Sequence, residues 1–228
     1  MTTDADDRTS ADVPSATTGQ AQRDAELFVT ELEALREADT GRFASLKRNA
    51  GETLPGRGTV WFYDYLTNPG PGGQRSIRIR QWNAELYFLV ATIYAQFDWK
   101  RTVATGGDFG RTLAELARRM SSEPGDAALR RFRRFHILLD AEFDTIVDPS
   151  NEDARWQAGG GEMSYRMRQM VRLLASKGLG PNWPQLLVDL CQWGRPDRRI
   201  QKKWARSYFG APDTTPDTPD EQLHDTTL

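Results

Sequence analysis

Residues 82–99, WNAELYFLVATIYAQFDW, are apolar on nearly every side of a helical wheel. Such a helix has no solvent face, so it folds only where other elements surround it. Glu85, Gln96 and Asp98 interrupt the run, which argues against a membrane span. The rest of the chain must therefore supply a shell of amphipathic elements, and 228 residues suffice to build one.

That shell reads as helix almost throughout. Residues 21–37 place Ala25, Phe28, Leu32 and Leu35 at helical spacing, and 40–51 follow with Thr40 as N-cap and Gly51 as stop. The segment 60–66 is too short and aromatic to assign. Further helices are expected over 108–120 from an Asp108 cap, 125–143 from near Asp126, 161–178 ending at Gly178, 182–193 and 197–210. Met163, Met167, Met170, Val171 and Leu174 share one face of the 161–178 helix and read as core. No βαβ alternation and no Asn-Gly or Asp-Gly hairpin interrupts the series. The expected fold class is all-α. Two connections are irregular: 67–81, rich in Pro and Gly and ending in Arg75, Arg78 and Arg80, reads as a basic loop. Residues 147–161, acidic and then glycine-rich, read as a surface link between helices.

The formal charge of −2 conceals an uneven distribution. Residues 1–20 carry four Asp against Arg8, and 211–228 carry five acidic residues with no Lys or Arg. Both ends have the Thr-, Pro- and Asp-rich composition of disordered tails. Between them lie 29 basic and 23 acidic residues, a formal charge of +6. The ordered part is basic.

The cations are also patterned. In LRRFRRFHILL (129–139), Arg130, Arg131, Arg133 and Arg134 fall within an arc of about 160°, opposite Leu129, Phe132, Phe135 and Leu139. No acid separates them, whereas solvated helix faces mix signs. Arg168 and Arg172 lie opposite the Met stripe. In the last helix Arg198, Arg199, Lys202, Lys203 and Arg206 oppose an Ile200, Trp204, Tyr208 stripe. Three acid-poor basic faces indicate a surface for phosphates. Such a surface also suits a helix-turn-helix DNA-binding regulator, or a scaffold docking acidic partners. The regulator would gather base-reading Asn, Gln or Ser on one helix, whereas these cations spread over several.

Catalytic chemistry finds few players. Cys191 is the only cysteine, and His136 and His224 the only histidines, which excludes Cys-based zinc clusters, disulfide frameworks and His-rich metal sites. GGDFGR (106–111) and AGGGE (158–162) lack the GK[ST] of a P-loop. His136 reads as a half-buried structural residue, and Asp148, Glu152 and Asp153 as a solvated loop rather than a metal cluster. No cofactor, metal, membrane or small-molecule substrate is expected. With no secretory signal visible at the N-terminus, a cytoplasmic location is expected.

The C-terminal stretch NWPQLLVDLCQWGRPDRRIQKKWARSYFG has a Trp-x-x-Leu-Leu-x-Asp-Leu-x-x-Trp run and a closing Gln-x-x-Trp-Ala-Arg-x-Tyr. It resembles the CasB family, the small subunit of the type I-E CRISPR Cascade complex. FGRTLAELARR (109–119), ALRRFRRF (128–135), MVRLLAS (170–176) and RFASLKRNAG (42–51) are similar to that family's helices, so the likeness covers most of 25–210. The resemblance implies two small helical bundles, here 21–121 and 122–210, between the tails 1–20 and 211–228. It implies a non-catalytic antiviral-defence subunit, present with a second copy of itself among the other Cascade subunits. Its partners would be crRNA, target DNA and the displaced single strand of the R-loop. Matched to family motifs, Lys47, Arg48, Arg111, Arg131, Arg134, Arg172, Arg198 and Arg199 would contact nucleic acid. The pattern of faces adds Arg80, Arg168 and Lys202. Such a protein reads backbone shape and charge, leaving sequence to base pairing.

Overall fold

The computed structural model describes residues 16–50, 52, 54, 58–67, 83–97, 103–120, 125–148, 151–157 and 159–210. The apolar run forms α4 (Ala84–Ala95), and all 12 of its residues are buried. Around it pack α2 (Thr40–Arg48), α3 (Trp61–Thr67), α7 (Gly161–Ser176) and α8 (Trp183–Leu190). Its aromatic side chains meet rings from several of these neighbours. Tyr87 is 4.7 Å from Phe28 of α1 (Ala16–Ala38), Phe88 is 5.1 Å from Phe62, and Tyr94 is 5.4 Å from Trp183. All three pairs are edge-on, the arrangement that aromatic quadrupoles favour.

The remaining helices are α5 (Phe109–Arg119), α6 (Gly125–Asp140) and α9 (Arg199–Phe209). The buried apolar side chains form one cluster from Ala25 to Trp204, with α1 packed on α8 and α5 on α9. The Met stripe of α7 is buried throughout, and the molecule is mostly helical, as the sequence led us to expect.

Local chemistry shifts several boundaries. Helix α1 begins at Ala16, inside the segment expected to be a tail, and Gln20 bonds Asp24 one turn on at 2.7 Å. The cap of α2 is Asp39 rather than Thr40: its Oδ1 accepts the Arg42 N–H at 2.9 Å. A carboxylate at a helix N-terminus satisfies an orphan donor and meets the positive end of the dipole. The aromatic segment left unassigned is α3.

The link expected over 147–161 contains a hairpin. Strands β2 (Thr145–Asp148) and β3 (Asn151–Gln157) pair antiparallel, with Ile146 opposite Trp156 and a register shift after Val147. The strands are short and acidic, so their alternation is too weak to stand out in the sequence. A second, minimal sheet pairs β1 (Val103–Ala104) in parallel with β4 (Leu179–Gly180).

The glycines of AGGGE have a packing role. Gly159 N–H donates to Glu85 Oε2 at 2.8 Å, and a Cβ at Gly159 would lie 2.7 Å from the Glu85 carbonyl oxygen. Gly161 holds φ +79 and starts α7 beside Asp144. Burial pushes the Glu85 carboxyl above its ordinary range, against the lowering effect of the Gly159 bond. The folded state thus holds the proton more tightly than the unfolded one. Its contribution is complete below the unfolded pKa and is lost as pH rises through the folded pKa. Glu85→Gln keeps an acceptor for Gly159 and should flatten that loss. Urea midpoints of both proteins from about pH 4 to about pH 8 test this. A wild-type midpoint that climbs relative to the variant's as pH rises would contradict it.

Candidate nucleic-acid interface

The C-terminal motif residues build the support for the basic faces. In α8 and the turn after it, Trp183, Leu186, Leu187, Leu190 and Trp193 are buried. Asp189, 1% exposed, accepts from Gln185 Nε2 at 2.9 Å, Lys203 Nζ at 3.0 Å and Trp204 Nε1 at 2.6 Å. Gln201 Nε2 donates to the Trp193 carbonyl at 2.9 Å, and the Trp193 and Trp204 rings lie 4.8 Å apart. The two halves of the motif bind each other; their role is to seat α9.

Helix α9 then gathers its neighbours. Helix α5 crosses it at Gly110, where a Cβ would stand 2.1 Å from the Trp204 carbonyl oxygen. Asp108 caps α5 through the Arg111 N–H at 2.9 Å, as the sequence indicated, and its other oxygen accepts from Ser207 at 2.7 Å. Helix α6 runs antiparallel to α9: Phe132 meets Phe209, Phe135 stacks on Tyr208 at 4.2 Å, and Arg198 reaches Asp140. Leu113, Phe135, Met170 and Tyr208 converge from α5, α6, α7 and α9. Four helices therefore share one apolar junction and turn their polar faces outward.

On those outer faces, Arg111, Arg130, Arg133, Arg134, Arg172, Lys202 and Arg206 are exposed. Arg172 leans on the end of α4, its Nε and Nη2 donating to Gln96 Oε1 at 3.3 and 3.2 Å. Arg168 is half-buried, and burial, followed by Arg172 one turn on, lowers its pKa while leaving it a cation. Among the described residues no carboxylate forms an ion pair with Arg111, Arg130, Arg133, Arg134, Arg168, Arg172, Lys202 or Arg206. By contrast, Arg42, Arg118, Arg119 and Arg166 are each paired with an acid within their own helix turn. The pairing divides the cations into two groups.

The other residues singled out in the sequence fall differently. Lys47 and Arg48 are exposed at the end of α2, in the part of the molecule around α1 and α4. Arg131 belongs to α6, but its side chain lies outside the described residues, as does the whole of Arg80. Arg198 is engaged internally. Held at φ 52, the single left-handed non-glycine residue among those described, it donates to the Leu139 carbonyl at 2.8 Å and to Asp140 at 2.9 Å. Arg199 bonds Gln192 Oε1, and its N–H meets Asp197 at 3.2 Å. Lys203 turns inward to Asp189.

His136 is a correction: expected half-buried, it is exposed, with its ring edge-on to Phe132 at 4.3 Å. Phe132, assigned to the apolar face, is 40% exposed. The wheel placed both toward the core, but α9 ends at Phe209, and both side chains stay exposed on the middle of α6. Asp148 and the 151–157 acids belong to the hairpin, and among the described residues no three His, Cys, Asp or Glu side chains are grouped to hold a metal. No helix among them is long and apolar enough to cross a membrane.

The chain is similar to known proteins in sequence and in fold. The family model for CRISPR-associated protein Cse2 matches residues 42–209. A CRISPR-associated protein Cse2 from Thermus thermophilus is 33% identical over 132 residues, 58% of this chain, and the match spans 60% of that relative's length. The solved structure of CasB from M. ruber is 24% identical, with a TM-score of 0.52 over 82% of this chain and 93% of that one. A chain of a CRISPR RNA-guided surveillance complex superposes with a TM-score of 0.58 at 16% identity, covering 84% of this chain and 94% of its own.

Proposed function

Because the chain belongs to the CRISPR-associated Cse2 family, the CasB family that its C-terminal motif resembles, we propose that it is a non-catalytic subunit of an RNA-guided surveillance complex. In this reading the outer faces of α5, α6, α7 and α9 grip nucleic-acid backbone. The observation that supports it is the set of cations that have no carboxylate partner among the described residues, arranged around one apolar junction. Like charges held side by side destabilise a free protein and are relieved when a polyanion neutralises them.

The grip is electrostatic and independent of sequence. Arg111, Arg134, Arg168, Arg172 and Lys202 are the cations best placed for it, with Lys47 and Arg48 as a separate patch on α2. Arg198 and Arg199 act indirectly by fixing the start of α9. The ligands are the guide–target duplex and the displaced strand, held while a second copy and the other subunits complete the assembly. Base pairing reads the target, and this chain stabilises the paired state. Cleavage is left to another component.

The test compares wild type with the combined Arg111→Ala, Arg134→Ala, Arg172→Ala, Lys202→Ala variant on two unrelated single strands across a salt series. Each phosphate that no longer meets a cation should lower the slope of log K against log salt by about 0.7, equally for both strands. The melting temperature should stay close to wild type, because these cations are exposed, have no carboxylate partners among the described residues, and give up only the exposed bonds of Arg172 to Gln96. The strands should be recovered uncut with Mg²⁺ present. Superimposed salt curves would refute the interface.

A further inference from the structure

Where the middle of α6 meets the C-terminal end of α9 lies a group of rings that the phosphate-binding reading leaves unused. Phe132 is 40% exposed and Phe209 61%, and their rings meet at 6.0 Å and 63°. His136 joins them, 4.3 Å from Phe132. Single exposed apolar residues are ordinary on a protein surface. Here two come from different helices and touch, and they are held from behind. Tyr208 meets Phe209 edge-on at 5.2 Å and stacks on Phe135, which is buried. Phe209 is thus backed by rings that reach the core.

Their surroundings carry an excess of cations, since Asp140, one turn from His136, is already paired with Arg198. On α9, Lys202 lies within about 20° of Phe209 around the helix axis and Arg206 within about 60°; on α6, Arg133 lies about 60° from His136. All three are exposed. A second copy packed with the same face would bring the same charge against it and be repelled. A duplex carries phosphates but keeps the faces of its bases stacked inside. An unpaired strand offers both a polyanionic backbone and flat apolar faces, the combination that single-strand grooves accept.

We propose that Phe132, His136 and Phe209 form a stacking platform for the bases of an unpaired strand. The proposal rests on the nucleic-acid reading above and narrows it to single strands at this site. Phosphates follow the cations of α6 and α9, and one or more bases lie on the rings. The contact is indifferent to sequence, because every base presents a π face.

The full-length protein is titrated with oligothymidine of about 15 nucleotides and with an abasic strand of the same length and charge. Wild type should prefer the base-bearing strand. The Phe132→Leu, Phe209→Leu variant keeps the apolar bulk but removes the rings, and should bind oligothymidine about tenfold more weakly. Its binding to the abasic strand and its salt slope should not change. Phe132→Tyr, Phe209→Tyr retains the rings and should bind as wild type does. Equal wild-type affinity for the two strands overturns the platform, as does a Leu variant as tight as the Tyr variant. Equal weakening on both strands overturns it too, by tracing the effect to charge or fold. Loss of co-purifying subunits with strand binding intact makes the rings a protein dock instead. Absence of salt-dependent binding to the abasic strand by wild type identifies a failure of the nucleic-acid reading itself.

Discussion

Asp189→Ala is expected to cost about 3 kcal/mol or more of folding stability. The carboxylate is 1% exposed and accepts from three donors. Removing it leaves the Trp204 indole N–H buried without an acceptor and Lys203, half-buried, without its counter-charge. The truncated side chain also opens a void beneath a fully buried Trp204. Gln185 is less affected, because it can turn toward solvent. For a chain of this length the melting temperature should fall by roughly 10 °C. Asp189→Asn keeps one acceptor oxygen and should fall by less, so the difference between the two variants measures the charge. A melting temperature for Asp189→Ala within about 2 °C of wild type would show that α9 is seated by packing alone.

Gly110→Ala should be the other severe change, and its sign is informative. Inside a helix, Ala is normally more stable than Gly by about 1 kcal/mol. Gly110 lies in the first turn of α5, where an added Cβ would stand 2.1 Å from the Trp204 carbonyl oxygen and 2.7 Å from the Trp204 Cα. Both atoms are backbone, so no rotamer change relieves the collision. Helix α5 must move off α9 as a body, at a cost of about 2–3 kcal/mol. The movement also shifts Arg111 and breaks the Ser207–Asp108 bond, which ties the stability loss to weaker strand binding. Urea denaturation with a strand-binding titration on the same samples checks both. A variant as stable as wild type, or more so, would show that α5 and α9 do not meet this closely.

Much of this was legible from local pattern. The buried character of α4 follows from an apolar run with no polar face, since such a helix has no stable position at a surface. The Asp108 cap followed from residue type at a helix start, and the buried Met stripe of α7 from period 3.6. The exposed arginines of α6 followed from the same periodicity. The resemblance to CasB was carried by motif residues that prove to be the ones binding α8 to α9. Their spacing is set by packing, and packing is the property that this motif records.

Other features depended on which elements meet. Periodicity assigns residues to a face of their own helix, but it does not say whether another helix reaches far enough to cover that face. Phe132 and His136 stay exposed on the middle of α6, and α9 ends at Phe209. Arg198 and Lys203 looked like free surface cations, yet Asp140 and Asp189, both distant in sequence, engage them. The acidic hairpin lacked an alternation strong enough to declare itself, and the glycines after it are needed only because Glu85 lies against Gly159 and Gly161 turns at φ +79 beside Asp144. The sequence alone determined a helical protein with a basic middle, residues 21–210, and a buried central helix, because those properties are sums over local residue types and spacings. The tertiary structure alone decided which cations go without a carboxylate partner among the described residues and which rings stay open. Both depend on contacts between segments far apart in the chain, and no local pattern contains them.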